Sequence, residues 1–104
     1  MCGVTGVFHY RDQDRPVDRA ILLSMTRSIA HRGPDGEGTY AARGIGLGHR
    51  RLAILDTSDV AAQPMVSSDG TIVLTYNGEI YNFRELRAQL EANGHRFVSG
   101  SDTE

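Results

Sequence analysis

Cys2 is the only cysteine of the chain and stands directly behind the initiator methionine, in MCGVTGVF. Removal of Met1 would make Cys2 the N-terminal residue, with its thiol beside a free α-amine. An α-amine titrates at about 7.7–8.0 and a thiol at about 8.5. Near neutral pH the amine can therefore take the thiol's proton, directly or through one water, and no histidine is needed as the base. On its own, Cys2 reads more readily as an incidental second residue than as a nucleophile. Asn77-Gly78, inside TYNGEIYNF (75–83), brings a side-chain amide N–H and a glycine backbone N–H side by side. That pairing suits an oxyanion hole, and it also suits an ordinary turn. Arg50 and Arg51 in HRRLAILD (49–56) open an apolar strand, where an arginine presents a planar fork to a carboxylate or lies in solvent. Glu79 and Asp102 add carboxylates able to hold an ammonium group. Together these groups match a substrate with an α-amino acid head and an acyl carbon a few bonds away, as in glutamine.

These side chains need elements to carry them. Val4–His9 is rich in β-formers and reads as a strand, followed by a polar turn over 11–16. Ile21, Leu22, Met25 and Ile29 recur at helical spacing, which predicts an amphipathic helix from Asp18 to Ala30. HRGPDGEG (31–38), with three glycines and a proline, predicts a shaped loop and no regular element. Ile45–Ala53 reads as strand, kink, strand, the glycines marking the kink. A loop over 56–64 follows, and Asp69-Gly70 signals a two-residue hairpin ahead of a strand over Ile72–Tyr76. Asn82 and Glu85 form a capping-box pattern for a second helix with Phe83, Leu86 and Leu90 as its apolar stripe. Gly94 should end that helix and Phe97–Val98 begin another strand. Single helices between strand runs favour α+β over a doubly wound fold.

Composition narrows the classes. The formal charge of −2 gives no reason to expect nucleic acid or an anionic membrane as partner. All 11 basic residues are arginine, which reads as a bias of genome composition. There is no apolar run approaching the ~20 residues of a membrane span, and no signal-peptide pattern. One cysteine excludes an internal disulfide, which suits a cytoplasmic setting. The four histidines show no metal-ligand spacing and no phosphate loop is visible, so neither metal nor cofactor is expected in this segment.

In combination, MCGVTGVF, HRGPDGEG, GLGHRRLAILD, QPM, YNGEIYNFRELR and SGSDTE resemble the N-terminal glutaminase domain of the glutamine-hydrolysing asparagine synthetases. That is a class II glutamine amidotransferase of the N-terminal-nucleophile hydrolase type, and the resemblance runs over residues 1–104. It implies an αββα sandwich, here apparently truncated, with the rest of the sandwich and a synthetase domain continuing the chain. It implies Cys2 as nucleophile, and Asn77 and the Gly78 N–H as oxyanion hole. Arg51 would take the substrate α-carboxylate, Leu52, Ala53, Ile54 and Leu55 would line the glutamine pocket, and Glu79 and Asp102 would take the α-ammonium. HRGPDG would shape the site; at Arg50 the family often carries another residue. Ammonia would pass through a tunnel to the synthetase domain, which binds ATP and magnesium and amidates aspartate. A homodimer is compatible with the resemblance. A different nitrogen acceptor is the alternative within this class. Outside it stands a non-catalytic scaffold domain, against which the retained Cys2, Arg51, Asn77, Gly78 and Asp102 argue. A thiol redox or metal-binding module would need a second cysteine or other histidine spacing. A sheet cut midway leaves open edges and bare apolar faces, so the 104-residue chain alone is expected to be poorly stable or aggregation-prone.

Overall fold

A computed structural model describes all 104 residues. Strand β1 (Gly3–Phe8) precedes helix α1 (Arg19–Ser28), then strands β2 (Gly36–Ala42) and β3 (Ile45–Arg51). Two short strands, β4 (Met65–Val66) and β5 (Val73–Leu74), lead to helix α2 (Phe83–Ala92). The fold is α+β, with an antiparallel three-stranded sheet of order β1-β3-β2 and an antiparallel pair β4-β5.

Asp18 starts α1 as expected. Its carboxylate accepts from the N–H groups of Ala20 (2.9 Å) and Ile21 (3.2 Å), two donors that the first helical turn leaves unpaired. Leu22 and Thr26, one turn apart, are fully buried and point at the three-stranded sheet. The sheet receives them because the facing positions of β3 are Gly46 and Gly48. A Cβ at Gly46 would press on Val17 and Leu22, and one at Gly48 would strike the hydroxyls of Thr5 and Thr26. Those hydroxyls bond each other at 3.0 Å. The glycines of β3 therefore set the helix-to-sheet spacing and do not kink the strand, which runs unbroken from Ile45 to Arg51.

Strand alternation sorts the rest of β3. Arg50 shares the α1 side: it bonds Glu37 of β2 (3.0 Å), which also bonds Arg27 of α1 (3.0 Å). The hydrogen bond from Arg27 holds the Glu37 carboxyl below its usual range. His49 and Arg51 lie on the other face. There, His49 Nδ1 meets Thr75 Oγ1 at 2.9 Å, just past the end of β5.

Several sequence expectations change. HRGPDGEG is loop only over 33–35: His31 and Arg32 belong to a 3-10 turn (Ala30–Arg32), and Gly36 opens β2 by pairing with Arg51 of β3. The two-residue hairpin turn is Arg43-Gly44, with Ala42 paired to Ile45 and Gly44 at φ 79°. Asp69-Gly70 lies in a longer connection, closed by Ser67 N–H to Ile72 O (2.9 Å) and organised by the Asp69 carboxylate. The strand after it covers Val73–Leu74 only. Asn82 sits at the start of α2, but its side chain caps nothing and no capping box forms. The α2 stripe is not buried: Leu86 and Leu90 are exposed. Gly94 does end the helix, at φ 91°. Phe97–Val98 forms no strand, because the following residues fold back. The Glu104 carboxylate collects the N–H groups of Val98 (2.8 Å) and Ser99 (2.7 Å), and Phe97 stacks under the Arg87 guanidinium.

Candidate functional site

The Cys2 thiol lies on the backbone of Leu52, the residue after β3. Leu52 N–H donates to Sγ at 3.2 Å, and the thiol faces Leu52 O at 3.6 Å. Register explains the meeting: Gly3 pairs with Arg50, so the residue before β1 reaches the residues after β3. The Cys2 carbonyl accepts from Arg32 Nε (3.1 Å), which fixes the residue from its other side. The loop carrying Arg32 is itself braced on β3. Asp35 N–H donates to Arg51 O (2.9 Å), Asp35 Oδ2 accepts from Ala53 N–H (2.9 Å), and Arg50 Nε donates to Gly33 O (2.9 Å). A Cβ at Gly33 would collide with the Arg50 backbone, so a glycine is needed for this approach.

Arg51 projects to the opposite face from Arg50. Its two terminal nitrogens donate to the carbonyls of Asp56 and Ser58 (2.8 Å to Ser58), which leaves the remaining N–H groups of the fork unspent. Asp56 locks this loop. Its carboxylate accepts from the Ser58 hydroxyl and N–H (2.9 Å), and from Gly100 N–H (2.6 Å). The Ser58 hydroxyl first, then those backbone donors, hold the Asp56 carboxyl down to about 2. Asp56 thereby joins the Arg51 loop to the segment that carries Asp102.

Past β5 the chain turns through Asn77-Gly78-Glu79. The Tyr76 ring lies directly over Gly78, where a Cβ would strike the phenol. Tyr76 N–H donates to Gln63 Oε1 (2.6 Å), and Asp102 Oδ2 accepts from Ile80 N–H (2.8 Å). Between these segments lies a cavity of about 480 Å³. Nine of the residues expected from sequence line it: Cys2, Arg51, Leu52, Ile54, Leu55, Asn77, Gly78, Glu79 and Asp102. Ala53 does not, its N–H being turned to Asp35. Met1 lines the cavity beside Cys2.

The cavity also contains residues to which sequence reasoning assigned no role: Asp56, Gln63, Tyr76 and Thr103. Each lies inside a motif quoted above, and that membership was the one signal available. His49 lies behind the cavity, 1% exposed, with Nε2 unpartnered. Burial first, then the nearby Arg51 charge, lowers it to about 4, so the ring is neutral. No group of three or more His, Cys, Asp or Glu stands close enough to hold a metal ion.

A thiol, a cationic fork and two carboxylates around one cavity are the parts that the glutaminase resemblance calls for. The glutamine amidotransferase domain family matches residues 1–104. The chain belongs to that family. Among curated proteins it is 43% identical over 105 residues to asparagine synthetase [glutamine-hydrolyzing] 1 of Bacillus subtilis, covering 100% of this chain and 16% of the relative. It is also 43% identical over 104 residues to asparagine synthetase [glutamine-hydrolyzing] 1 of Arabidopsis thaliana, covering 100% of this chain and 17% of the relative. The Brassica oleracea enzyme of that name is 44% identical over 102 residues, with 98% and 17% covered. This glutamine amidotransferase domain thus spans about a sixth of the length of those relatives.

Proposed function

We propose that the domain hydrolyses the side-chain amide of glutamine through Cys2 and delivers the ammonia to an ATP-dependent synthetase domain that converts aspartate to asparagine. The observation that carries the reading is the convergence of Cys2, Arg51, Asn77, Gly78, Glu79 and Asp102 on one cavity. The asparagine synthetase names of the relatives support aspartate as acceptor.

Once Met1 is removed, the Cys2 amine accepts the thiol proton and the thiolate attacks the amide carbon of glutamine. Leu52 N–H, donating to Sγ, fixes where the sulfur stands. The carbonyl oxygen becomes an oxyanion and is met by the Asn77 side-chain N–H and the Gly78 N–H. The protonated amine returns its proton to the departing nitrogen and ammonia leaves. Water then cleaves the γ-glutamyl thioester, releasing glutamate and the thiol. Arg51, its fork pre-set by the carbonyls of Asp56 and Ser58, holds the α-carboxylate. Asp102 and Glu79 hold the α-ammonium; Ile80 occupies only one Asp102 oxygen. Leu52, Ile54 and Leu55 flank the substrate's methylene chain.

The test is the intact mass of the full-length protein after incubation with a diazo-ketone analogue of glutamine. One label, mapped to Cys2 on a chain lacking Met1, is the expected result. A chain that keeps Met1, or loses it and stays unlabelled, overturns the reading.

A further inference from the structure

The Asn77-Gly78 segment lies outside every strand and helix, so no ladder fixes its position. On the side away from Ile80, it is held by a pair of side chains gripping the two residues just before it. Thr75 Oγ1 meets His49 Nδ1 at 2.9 Å, and Tyr76 N–H donates to Gln63 Oε1 at 2.6 Å. A backbone N–H can only donate, so the Gln63 amide is oriented by that bond. Its Nε2 is thereby aimed elsewhere, and it donates to Thr103 Oγ1 at 3.2 Å, one residue beyond Asp102. Gln63 thus forms a strut across the cavity wall, from the oxyanion segment to the ammonium segment. His49 ties the same oxyanion segment to β3, two residues before Arg51. Its ring is sealed between the layers, 1% exposed, so it has no freedom to let the link drift.

We propose that Gln63 and His49 are positioning residues. Together they set where Asn77 and Gly78 stand relative to Arg51 on one side and Asp102 on the other. This rests on the glutaminase reading above. Neither side chain takes part in the chemistry; each acts through the backbone that carries the oxyanion donors. A misplacement near 1 Å at such a site is enough to cost about 100-fold in rate.

The experiment is steady-state glutamine hydrolysis by the full-length protein and by Gln63→Met, Gln63→Glu, Thr75→Val and Thr103→Val. Gln63→Met keeps the length and removes the acceptor for Tyr76 N–H; kcat should fall about 10- to 100-fold with a smaller change in KM, the mark of a transition-state contact. Gln63→Glu restores the acceptor and should recover most of that kcat. Thr75→Val removes one hydroxyl at constant shape and should also lower kcat, so it decides the matter where Gln63→Met does not fold. Thr103→Val cuts only the ammonium end of the strut and should raise KM, leaving kcat within about threefold. Wild-type kcat in both Gln63→Met and Thr75→Val overturns the proposal, as does a Gln63→Glu no better than Gln63→Met. A wild-type protein that does not hydrolyse glutamine overturns the glutaminase reading and this one together; an active wild type with unaffected variants overturns this one alone.

Discussion

Cys2 and Asn77 divide the proposed chemistry between them, and substitutions separate their roles. Cys2→Ala in the full-length protein should abolish glutamine-dependent product formation and leave ammonia-dependent formation intact; equal loss of both would show that the two sites are not separate. Asn77→Ala should slow glutamine hydrolysis by about 10²–10³-fold, the usual effect of removing one oxyanion donor. An unchanged rate would take Asn77 out of the oxyanion hole. His49 makes a prediction about pH. Its folded-state value of about 4 lies below the ordinary 6.5, so the unfolded chain binds a proton that the folded chain refuses. Stability is therefore complete above about 6.5 and is lost as pH falls toward about 4. Denaturation midpoints measured across that window should fall with pH, and His49→Asn should flatten the fall. Below it, Asp56 and Asp69, both held near 2 by hydroxyl and backbone donors, add a further loss as pH drops through the range from 3.8 to 2.

At the scale of elements, the glycines of β3 decide how α1 docks. Leu22 and Thr26 can be fully buried only because Gly46 and Gly48 present no side chain to them. Gly48→Ala should destabilise the domain by about 1–3 kcal/mol, because its Cβ meets a pair of hydroxyls already bonded to each other and to Leu22 O. Gly36→Ala is the control. Its Cβ would meet only the Arg51 Cβ, at an ordinary 3.7 Å, so the unfolding free energy from urea titration should change by no more than about 0.5 kcal/mol. Equal effects at the two positions would mean that helix docking is not limited by space. The same strand alternation that gives α1 the glycines sends Arg50 to the helix side and Arg51 to the cavity. Adjacent arginines thus acquire unrelated tasks.

For the whole molecule, shape is informative. The accessible surface is 7110 Å², whereas a compact chain of this mass exposes about 5,800 Å². The radius of gyration is 14.7 Å, against about 13 Å for a compact domain of this length. Only 12 of 104 residues are buried, while Val4, Phe8, Ile72, Leu86 and Leu90 are exposed. The 104-residue chain prepared alone should bind a hydrophobic dye and unfold without a sharp transition. A monodisperse sample with a cooperative thermal transition would show that this core suffices. No helix is long and apolar enough to cross a membrane, so the exposed residues do not form a helical span.

The candidate site was legible in the sequence because it rests on residue types that few other tasks require together: a cysteine behind Met1, an Asn-Gly pair, an arginine opening an apolar strand, and an Asp in SGSDTE. Nine of the ten residues named from those motifs and from the family resemblance line one cavity. Helix α1 was legible too, since its periodicity and its Asp18 cap are local properties. The rest depended on partners distant in the chain. Gly36–Ala42 is a strand because β3 pairs with it, although its first three residues read as loop. Phe97–Val98 has strand formers but no strand, because Glu104 captures the N–H groups of Val98 and Ser99. Asn82 was in place to cap α2 and does not. Gln63 and His49 stand inside quoted motifs but carried no sign of this role, for a strut is defined only by what stands at its two ends. Sequence by itself determined which groups are available to react, because reactivity belongs to the side chain. Tertiary structure alone decided which groups meet and what holds them there, because strand register and long-range hydrogen bonds join residues that the chain order keeps apart.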